Sequence, residues 1–212
     1  MNKYFYNLLF KYLSFYIFKE DKMGKREAIL QATIDVIAKH GIADSPTVLI
    51  AKEAGAAELT LFRLFGSKQE LLKQAFDEVT KRYQDMCWPV VGKENGAEQK
   101  LLAMYRATIK HYRENPADLA YFQQYINSAE GLRRRPDYRY EQGEDVSEFP
   151  LISILDEGKT QGVFKDLPMT ALVGLSGATM IMFLREEQVR EITHTESEME
   201  LLIQSILQAI KV

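Results

Sequence analysis

Apolar residues recur along this chain at the spacing of an α-helix, and no segment shows the sustained alternation that is typical of a β-strand. The first clear case is Ile29, Val36 and Ile37, which share one helical face and are followed by Gly41. Glycine at such a position is typical of a helix C-terminus. The pattern therefore predicts an all-α fold whose first helix ends near residue 40.

Three further helices are predicted before residue 88. Ser45-Pro46 has the composition of a helix start, with a capping side chain before a proline in the first turn. Leu61 and Phe65 lie four residues apart on one face of the following helix, and a Ser-x-x-Glu capping pattern at Ser67 opens a long one. The predicted ranges are 46–54, 58–65 and 68–87.

The rest of the chain is also predicted to be helical, except for a polar segment at 130–144 that is broken by Gly and Pro and reads as a loop. Capping patterns occur at Asp145-x-x-Glu148 and Thr195-x-x-Glu198. The predicted helices cover 97–114, 116–128, 145–162, 168–184 and 195–211.

The helices at 46–54 and 58–65, joined by a short turn with a glycine, have the proportions of a helix-turn-helix, whose second helix enters the DNA major groove. If Leu61 and Phe65 are buried, the opposite side of that second helix faces outward. The outward residues are Leu59, Thr60, Phe62 and Arg63. This side is more apolar than a purely solvent-exposed surface, which favours a helix that contacts a partner.

Several short motifs keep one unbroken register over the 48 residues from Lys25 to Leu72. They are Gly41, Ser45-Pro46-Thr47, Ile50-Ala51, Ala54-Gly55-Ala56-Ala57, Leu59-Thr60-Leu61-Phe62-Arg63-Leu64-Phe65 and Ser67-Lys68-Gln69-Glu70. Together they resemble the DNA-binding part of the tetracycline-repressor-like (TetR) family of bacterial transcription regulators. The later part of the chain is similar to that family in length and helical character.

The resemblance implies an N-terminal three-helix DNA-binding module and a C-terminal helical bundle for ligand binding and dimerisation. We expect an extension of uncertain role at 1–22, a helix-turn-helix domain at 23–70 and a ligand-binding and dimerisation domain at 71–212. The implied function is a regulator, most simply a repressor, that binds a palindromic operator as a homodimer and is released by a small apolar or aromatic effector. Operator DNA, the effector and a second copy of the chain are the expected partners.

Four phosphate contacts follow from the resemblance and from the donor chemistry of hydroxyl and ammonium groups. The expected residues are Ser45, Thr47, Thr60 and Lys68. Arg63 is the best candidate for a base contact, because a guanidinium can pair with guanine in the major groove. Glu58 is a candidate for a contact with cytosine, and Leu59 is a candidate for a contact with a thymine methyl group.

The chain departs from the family pattern at four positions of this module. Ala57 stands where the family usually has a capping Ser, and Leu59 stands where Gly is common. Phe62 takes the place of a Tyr, and Leu64 takes the place of a Tyr or His. Phe62, which we still expect at the DNA surface, lacks the hydroxyl that would bind a phosphate. The DNA sequence that this chain reads therefore does not follow from its relatives.

Aromatic and apolar residues of the later helices suggest a small-molecule site between helices, although the same residues could simply form the core. The candidate lining is Trp88, Tyr105, Tyr112, Phe122, Tyr125, Leu155, Leu175 and Thr179. Two stripes on the last helices suggest a dimer interface, with intrachain packing as the alternative. These stripes are Gly174, Gly177, Ala178, Ile181, Met199, Leu202, Ile203, Ile206 and Ile210.

Composition limits the other classes of function. One cysteine and three histidines argue against disulfides and metal sites, and no catalytic motif is present, so we expect a cytoplasmic protein that is not an enzyme and has no cofactor. The net charge is −3, but residues 23–68 carry six Lys and Arg against five Asp and Glu, whereas residues 69–212 carry 17 against 23. A DNA site near the start is thus only weakly basic.

Residues 1–22 differ from the rest of the chain by an apolar, aromatic run that Lys11 interrupts. They could be translated upstream sequence with Met23 as the original start, an amphipathic helix, or a membrane anchor. Two alternatives to a regulator stay open. One is a helical interaction protein that keeps the fold without binding DNA. The other is a module that residues 4–18 tether to a membrane, although we do not expect a membrane partner.

Overall fold

The computed structural model of the chain describes residues 23–212, most of which are helical. Residues 23–40 form α1. The later α-helices are α2 (Thr47–Glu53), α3 (Glu58–Phe65), α4 (Lys68–Val91), α5 (Ala97–Glu114), α6 (Pro116–Ile126), α7 (Ala129–Leu132), α8 (Pro136–Glu141), α9 (Pro150–Thr160), α10 (Met169–Val173), α11 (Thr179–Arg190) and α12 (Glu196–Ile210). A π-helical segment, Gly174–Ala178, joins α10 to α11. The all-α prediction is confirmed.

The chain divides into two compact units, the first ending at Ala75 and the second beginning at Phe76, so that α4 contributes to both. In the first unit, apolar side chains from α1, α2, α3 and the start of α4 form the core. The fully buried ones are Ile29, Ile34, Ile37, Ile50, Leu61, Leu71 and Ala75. The sequence analysis placed domain boundaries at residues 22 and 70. These boundaries divide the chain by function, and they remain predictions.

The second unit has a larger core, to which all of its long helices contribute. Tyr105 on α5, Tyr121 on α6 and Phe164 after α9 are among its largest fully buried side chains. An isolated antiparallel bridge between Phe164 and Lys211 holds the end of the chain beside the segment that follows α9. Across residues 23–212, no helix combines the length and the apolar character that crossing a membrane requires. The proposed tether at residues 4–18 lies outside the described residues.

Two of the predicted helix caps are present. The Thr195 hydroxyl accepts a hydrogen bond from the Glu198 backbone N–H, and the Glu198 carboxylate accepts one from the Thr195 N–H, which is a complete capping box at the start of α12. At α4, the Ser67 hydroxyl accepts from the Glu70 N–H at 3.1 Å. Each bond satisfies a helix donor that otherwise has no partner in the helix.

Two other predicted caps are wrong. Ser45 does not cap α2, because its hydroxyl donates to the Gly41 carbonyl oxygen at 2.5 Å, and the N-cap residue is Pro46. Asp145 does not open α9, because its carboxylate accepts from the nearby Ser147 N–H in a local turn. The helix begins only at Pro150. In both cases a short polar side chain bonds to its own loop instead of to a helix.

Three predicted boundaries are also wrong. The loop expected at 130–144 contains α8 and the end of α7, since Pro136 supplies a favourable first residue and Ser128 caps α7. Helix α4 continues past residue 87 through Pro89, which lies in its last turn. The helical run expected at 168–184 extends to Arg190.

Glu187 links α11 to α5 and to the turn before α12. Its buried carboxylate accepts hydrogen bonds from Arg113 Nη2 at 2.6 Å, from Arg113 Nε at 3.1 Å and from the His194 backbone N–H at 2.9 Å. Burial alone would raise the pKa of Glu187, but the bonds from Arg113 and His194 outweigh it and hold the pKa below its usual value of 4.5. The ionised form therefore stabilises the second unit.

We predict that Glu187→Gln lowers the free energy of unfolding by about 1–3 kcal/mol near neutral pH, because it removes charge-assisted hydrogen bonds. The folded-state pKa is depressed, so this contribution is present above about pH 4.5 and is lost as the pH falls through the folded-state value. Urea unfolding of both chains between pH 7 and pH 3 should show the difference shrinking in acid. A difference that stayed constant over this range would contradict the assignment.

Candidate functional site

Helix α3 has two different sides. Leu61 and Phe65 are buried in the first unit, with 0% and 4% of their surface exposed. On the other side, Leu59 is 69% and Phe62 40% exposed, and Arg63 is also exposed. Arg63 has no hydrogen-bond or ion-pair partner within residues 23–212. The first unit therefore leaves this side of α3 uncovered.

The turn between α2 and α3 depends on Gly55, whose φ of +61° lies in the left-handed region that favours glycine. The Thr47 hydroxyl on α2 donates to the Glu58 carboxylate on α3 at 2.5 Å, which joins the first turns of the two helices. Ala57, the N-cap residue of α3, provides no side-chain hydrogen bond. Glu58 lies in the first turn, where its negative charge is favourable to the helix dipole.

The structure corrects the expectation for Ser45. Its side chain is fully buried and donates to the Gly41 carbonyl oxygen, so it does not face outward and is not part of the candidate interface. Lys68 lies in the first turn of α4 and is partly buried, and its Nζ donates to the Ile42 carbonyl oxygen at 3.1 Å. One of the three ammonium donors is thus used, which fixes the direction of the side chain. Thr60 is partly exposed.

The second unit contains a cavity of about 310 Å³. One wall is a face of α4, where Phe76, Thr80 and Tyr83 recur at helical spacing. Other walls come from α5, α6, the start of α9 and the helical run from α10 to α11. Tyr105, Tyr112 and Phe122 of the predicted lining are among the wall residues.

The other predicted lining residues lie elsewhere, which corrects that part of the prediction. Tyr125 and Leu155 are buried in the core, and the Trp88 indole N–H donates to the Glu148 carbonyl oxygen. Leu175 is exposed, and the exposed Thr179 bonds to the Gly174 carbonyl oxygen. Sequence reasoning missed Thr80 and Tyr83, although their spacing from Phe76 was a usable signal.

The expected dimer stripe on α12 is likewise corrected. Four of its residues are buried in the core of their own chain, and Leu202 packs against that core. The four are Met199, Ile203, Ile206 and Ile210. Regular helical spacing identified an apolar face correctly but could not distinguish burial within one chain from burial between two.

The other stripe is divided between two environments. Gly177, Ala178 and Ile181 line the cavity, while Gly174 is exposed. At Gly177 a Cβ atom would lie 2.3 Å from Leu151 Cδ2, so glycine permits the close approach of α9. Other apolar side chains of this region are exposed, and they include Leu175, Met182, Val189 and Leu201. We call these four the outer apolar face.

Comparison with known proteins identifies the family. Residues 29–75 match the family described as bacterial regulatory proteins, tetR family, and residues 96–211 match the tetracyclin repressor-like C-terminal domain. The chain belongs to the TetR family. It is a TetR-family transcriptional regulator with a DNA-binding domain, as the motifs from Gly41 to Glu70 predicted.

Two solved structures show the same fold. A TetR family transcription regulator from Marinobacter aquaeolei VT8 is 21% identical, with a TM-score of 0.76 over 91% of this chain and 98% of that one. The fatty acid degradation regulator FadR from Bacillus halodurans is 21% identical, with a TM-score of 0.67 over 87% of this chain and 93% of that one.

A curated relative matches over a shorter stretch. The fatty acid metabolism regulator protein of Bacillus subtilis (strain 168) is 29% identical over 82 residues, or 39% of this chain. The match covers 42% of that protein, so this chain spans less than half of the relative's length.

The two sides of α3 give a testable contrast in this TetR regulator. We predict that Leu61→Ala lowers the free energy of unfolding by about 2–5 kcal/mol, because it leaves a cavity in the first unit. Its matched control, Leu59→Ala, changes the same chemical group on the exposed side and should stay within about 0.5 kcal/mol of the parent. Urea unfolding followed by circular dichroism measures both. A Leu59→Ala loss as large as that of Leu61→Ala would mean that the outward side is covered.

Proposed function

We propose that this regulator is a repressor that binds a palindromic operator as a homodimer and is released by a small apolar or aromatic effector. The observation that carries the proposal is the uncovered side of α3, where Arg63 stands without a partner among the described residues, beside exposed Leu59 and Phe62. In the proposal the protein acts in the cytoplasm, has no catalytic role and needs no cofactor.

Each exposed group of α3 suits a different feature of the major groove. The guanidinium of Arg63 can donate two hydrogen bonds to guanine O6 and N7, and the side chain of Leu59 can contact a thymine methyl group. Phe62 offers only apolar contact, because it has no hydroxyl. Glu58 already accepts from Thr47, so a cytosine contact by Glu58 would have to compete with that bond.

The proposed phosphate contacts fix the position of α3 on the duplex. Lys68 keeps two ammonium donors after its bond to the Ile42 carbonyl oxygen, and Thr60 is partly exposed. Thr47 donates its proton to Glu58, and therefore offers a phosphate only its backbone N–H near the start of α2. Ser45 is excluded by its burial.

The outer apolar face is the proposed dimer surface. Met182 and Leu201 are 66% and 69% exposed, and Leu175 and Val189 lie on the same helical run as Met182. A second copy of the chain is the natural occupant, since a two-fold axis places the same patch of both copies in contact and so covers apolar side chains with apolar side chains. To read a palindromic operator, this dimer has to place its two copies of α3 about 34–36 Å apart, which is one turn of DNA.

The proposed switch runs along α4. The middle of this helix supplies Phe76, Thr80 and Tyr83 to the cavity wall, and its first turn carries Lys68. An effector that displaces the wall also displaces the helix, and the spacing of the two α3 helices then no longer fits the groove. A coupling free energy of about 1–3 kcal/mol would weaken operator binding by about 5- to 150-fold.

We predict that Arg63→Ala and Lys68→Ala weaken DNA binding in different ways. Arg63→Ala should lower the binding free energy by about 1–3 kcal/mol and relax the preference at one base position. Lys68→Ala should weaken binding to all DNA sequences alike and lower the salt dependence of the affinity. Mobility shift at a stated salt concentration, with DNA from upstream of the gene and its single-base variants, separates the two.

Arg133→Ala is the control for this experiment, since it removes the same group from the second unit. Its operator affinity should equal that of the parent. If the parent chain itself binds its upstream DNA no better than unrelated DNA, the alternative of a fold retained without DNA binding is favoured.

The dimer proposal is tested by placing a charge on the outer apolar face. Leu201→Glu should convert the dimer to a monomer at micromolar concentration, because two buried carboxylates would face an apolar surface without partners. Leu132→Glu is the matched control, because Leu132 is 53% exposed on α7, which lies outside this face. Light scattering coupled to size-exclusion chromatography gives the mass. An unchanged dimer in Leu201→Glu would place the interface elsewhere.

A further inference from the structure

In the cavity of the second unit, two hydroxyl groups use their protons in hydrogen bonds within the protein. Thr108 Oγ1 donates to the Met104 carbonyl oxygen at 2.8 Å, and it lies 2.9 Å from the Tyr83 hydroxyl. Since the Thr108 proton is used by Met104, Tyr83 is the donor of that second bond. These two hydroxyls hold α4 to α5 and have no donor left for a ligand.

Two other hydroxyls in the cavity wall have no such partners. Thr80 Oγ1 and the Tyr105 hydroxyl are buried, and neither makes a hydrogen bond within the described part of the chain. Burial raises the pKa of Tyr105 far above its usual value, and the nearby Ser176 hydroxyl, whose proton is donated to the Leu172 carbonyl oxygen at 2.5 Å, offsets only part of that rise. Tyr105 is therefore neutral at physiological pH. A buried hydroxyl without a partner is unfavourable, so a ligand oxygen that accepts a hydrogen bond from either hydroxyl removes that penalty.

The charges in the wall cancel each other. Arg135 and Asp137 are the basic and acidic residues of the lining, and they form a two-bond ion pair, Nε to Oδ1 at 3.2 Å and Nη2 to Oδ2 at 2.7 Å. The Asp137 side chain is almost fully buried, whereas that of Arg135 is partly exposed. An anionic ligand would bring a second negative charge beside Asp137 without a second buried cation among these lining residues.

The size of the site follows from its volume. One water takes up about 30 Å³ in the liquid, so a cavity of about 310 Å³ corresponds to about ten non-hydrogen atoms. Two amides also line the wall, but Gln123 Nε2 donates to the Ile181 carbonyl oxygen and Asn127 Nδ2 donates to the Gln123 carbonyl oxygen. Most of the other lining residues are apolar or aromatic. Most of the ligand must therefore be hydrocarbon.

We infer that this cavity binds an uncharged, mainly apolar molecule of about ten non-hydrogen atoms that carries an oxygen acceptor for the hydroxyls of Thr80 and Tyr105. Ketones, esters and alcohols of this size belong to the class, and carboxylates do not. The inference deepens the proposed function, on which its meaning as an effector rests, but binding itself can be measured without DNA.

Titration calorimetry of the full-length chain at pH 7 tests the ligand class with two probes of equal chain length, nonan-2-one and nonanoate. The ketone should bind at least about 10-fold more tightly, the factor that corresponds to one good hydrogen bond or one unfavourable charge contact. Equal or tighter binding of nonanoate overturns the inference. Absence of binding by both probes at their solubility limits overturns the assignment of the cavity as a ligand site.

Two variants test the role of the hydroxyls. Thr80→Val and Tyr105→Phe should each weaken ketone binding by about 3- to 10-fold, as expected for one lost hydrogen bond. The melting temperature without ligand should stay equal or rise, because each variant removes a buried hydroxyl that has no partner. Thr108→Val is the control, and it should lower the melting temperature, since its hydroxyl is engaged. Unchanged ketone affinity in both test variants overturns the inference.

Operator binding measured with the same probes separates this inference from the proposed function. If nonan-2-one binds but leaves operator affinity unchanged, the ligand class holds and the switch fails. If nonanoate binds more tightly and releases the operator, the switch holds and the ligand class is wrong.

Discussion

Burial of Leu61 and Phe65 is the constraint on which the rest of this structure depends. These two side chains, four residues apart, fix the rotation of α3 about its own axis. A rotation of half a turn would bury Arg63 without a partner and expose both apolar groups, at a cost of several kcal/mol. The orientation of the outward side is therefore set by the core of the first unit rather than by any contact with DNA. Gly55 and the bond from Thr47 to Glu58 then fix where α3 starts relative to α2.

The sequence predicted helix boundaries reliably where a single apolar periodicity or flanking glycines define the helix. The helix Ala97–Glu114 has one clear apolar face, and the helix Glu58–Phe65 lies between Gly55 and Gly66; both were predicted to the residue. Short helices such as α7 and α8 were not, because a polar segment rich in Arg, Gly and Pro carries no apolar period to detect. Caps were predicted correctly at Thr195 but not at Ser45, since a hydroxyl near a helix start can bond as well to the preceding loop.

The functional residues were harder to predict than the helices. Tyr105 and Tyr112 line the cavity, whereas Tyr125 and Leu155 lie in the core. In the sequence all four look alike, because each is a large apolar or aromatic residue within a predicted helix. Only the packing of other helices distinguishes a wall from a filled interior. The π-helical segment adds a specific difficulty, because it contains one residue more per turn than an α-helix. The stripe from Gly174 to Ile181, drawn with α-helical spacing, is therefore split between the cavity and the exterior.

The exposed apolar surface of Leu59 and Phe62 has a thermodynamic consequence for association with a duplex. In the free protein these side chains order water that is released when they are covered. Binding through this surface would therefore lower the heat capacity of the system, and its enthalpy would become more favourable as the temperature rises. A family member with a tyrosine in place of Phe62 would bury a polar hydroxyl together with the same ring carbons, and its binding enthalpy would change less with temperature.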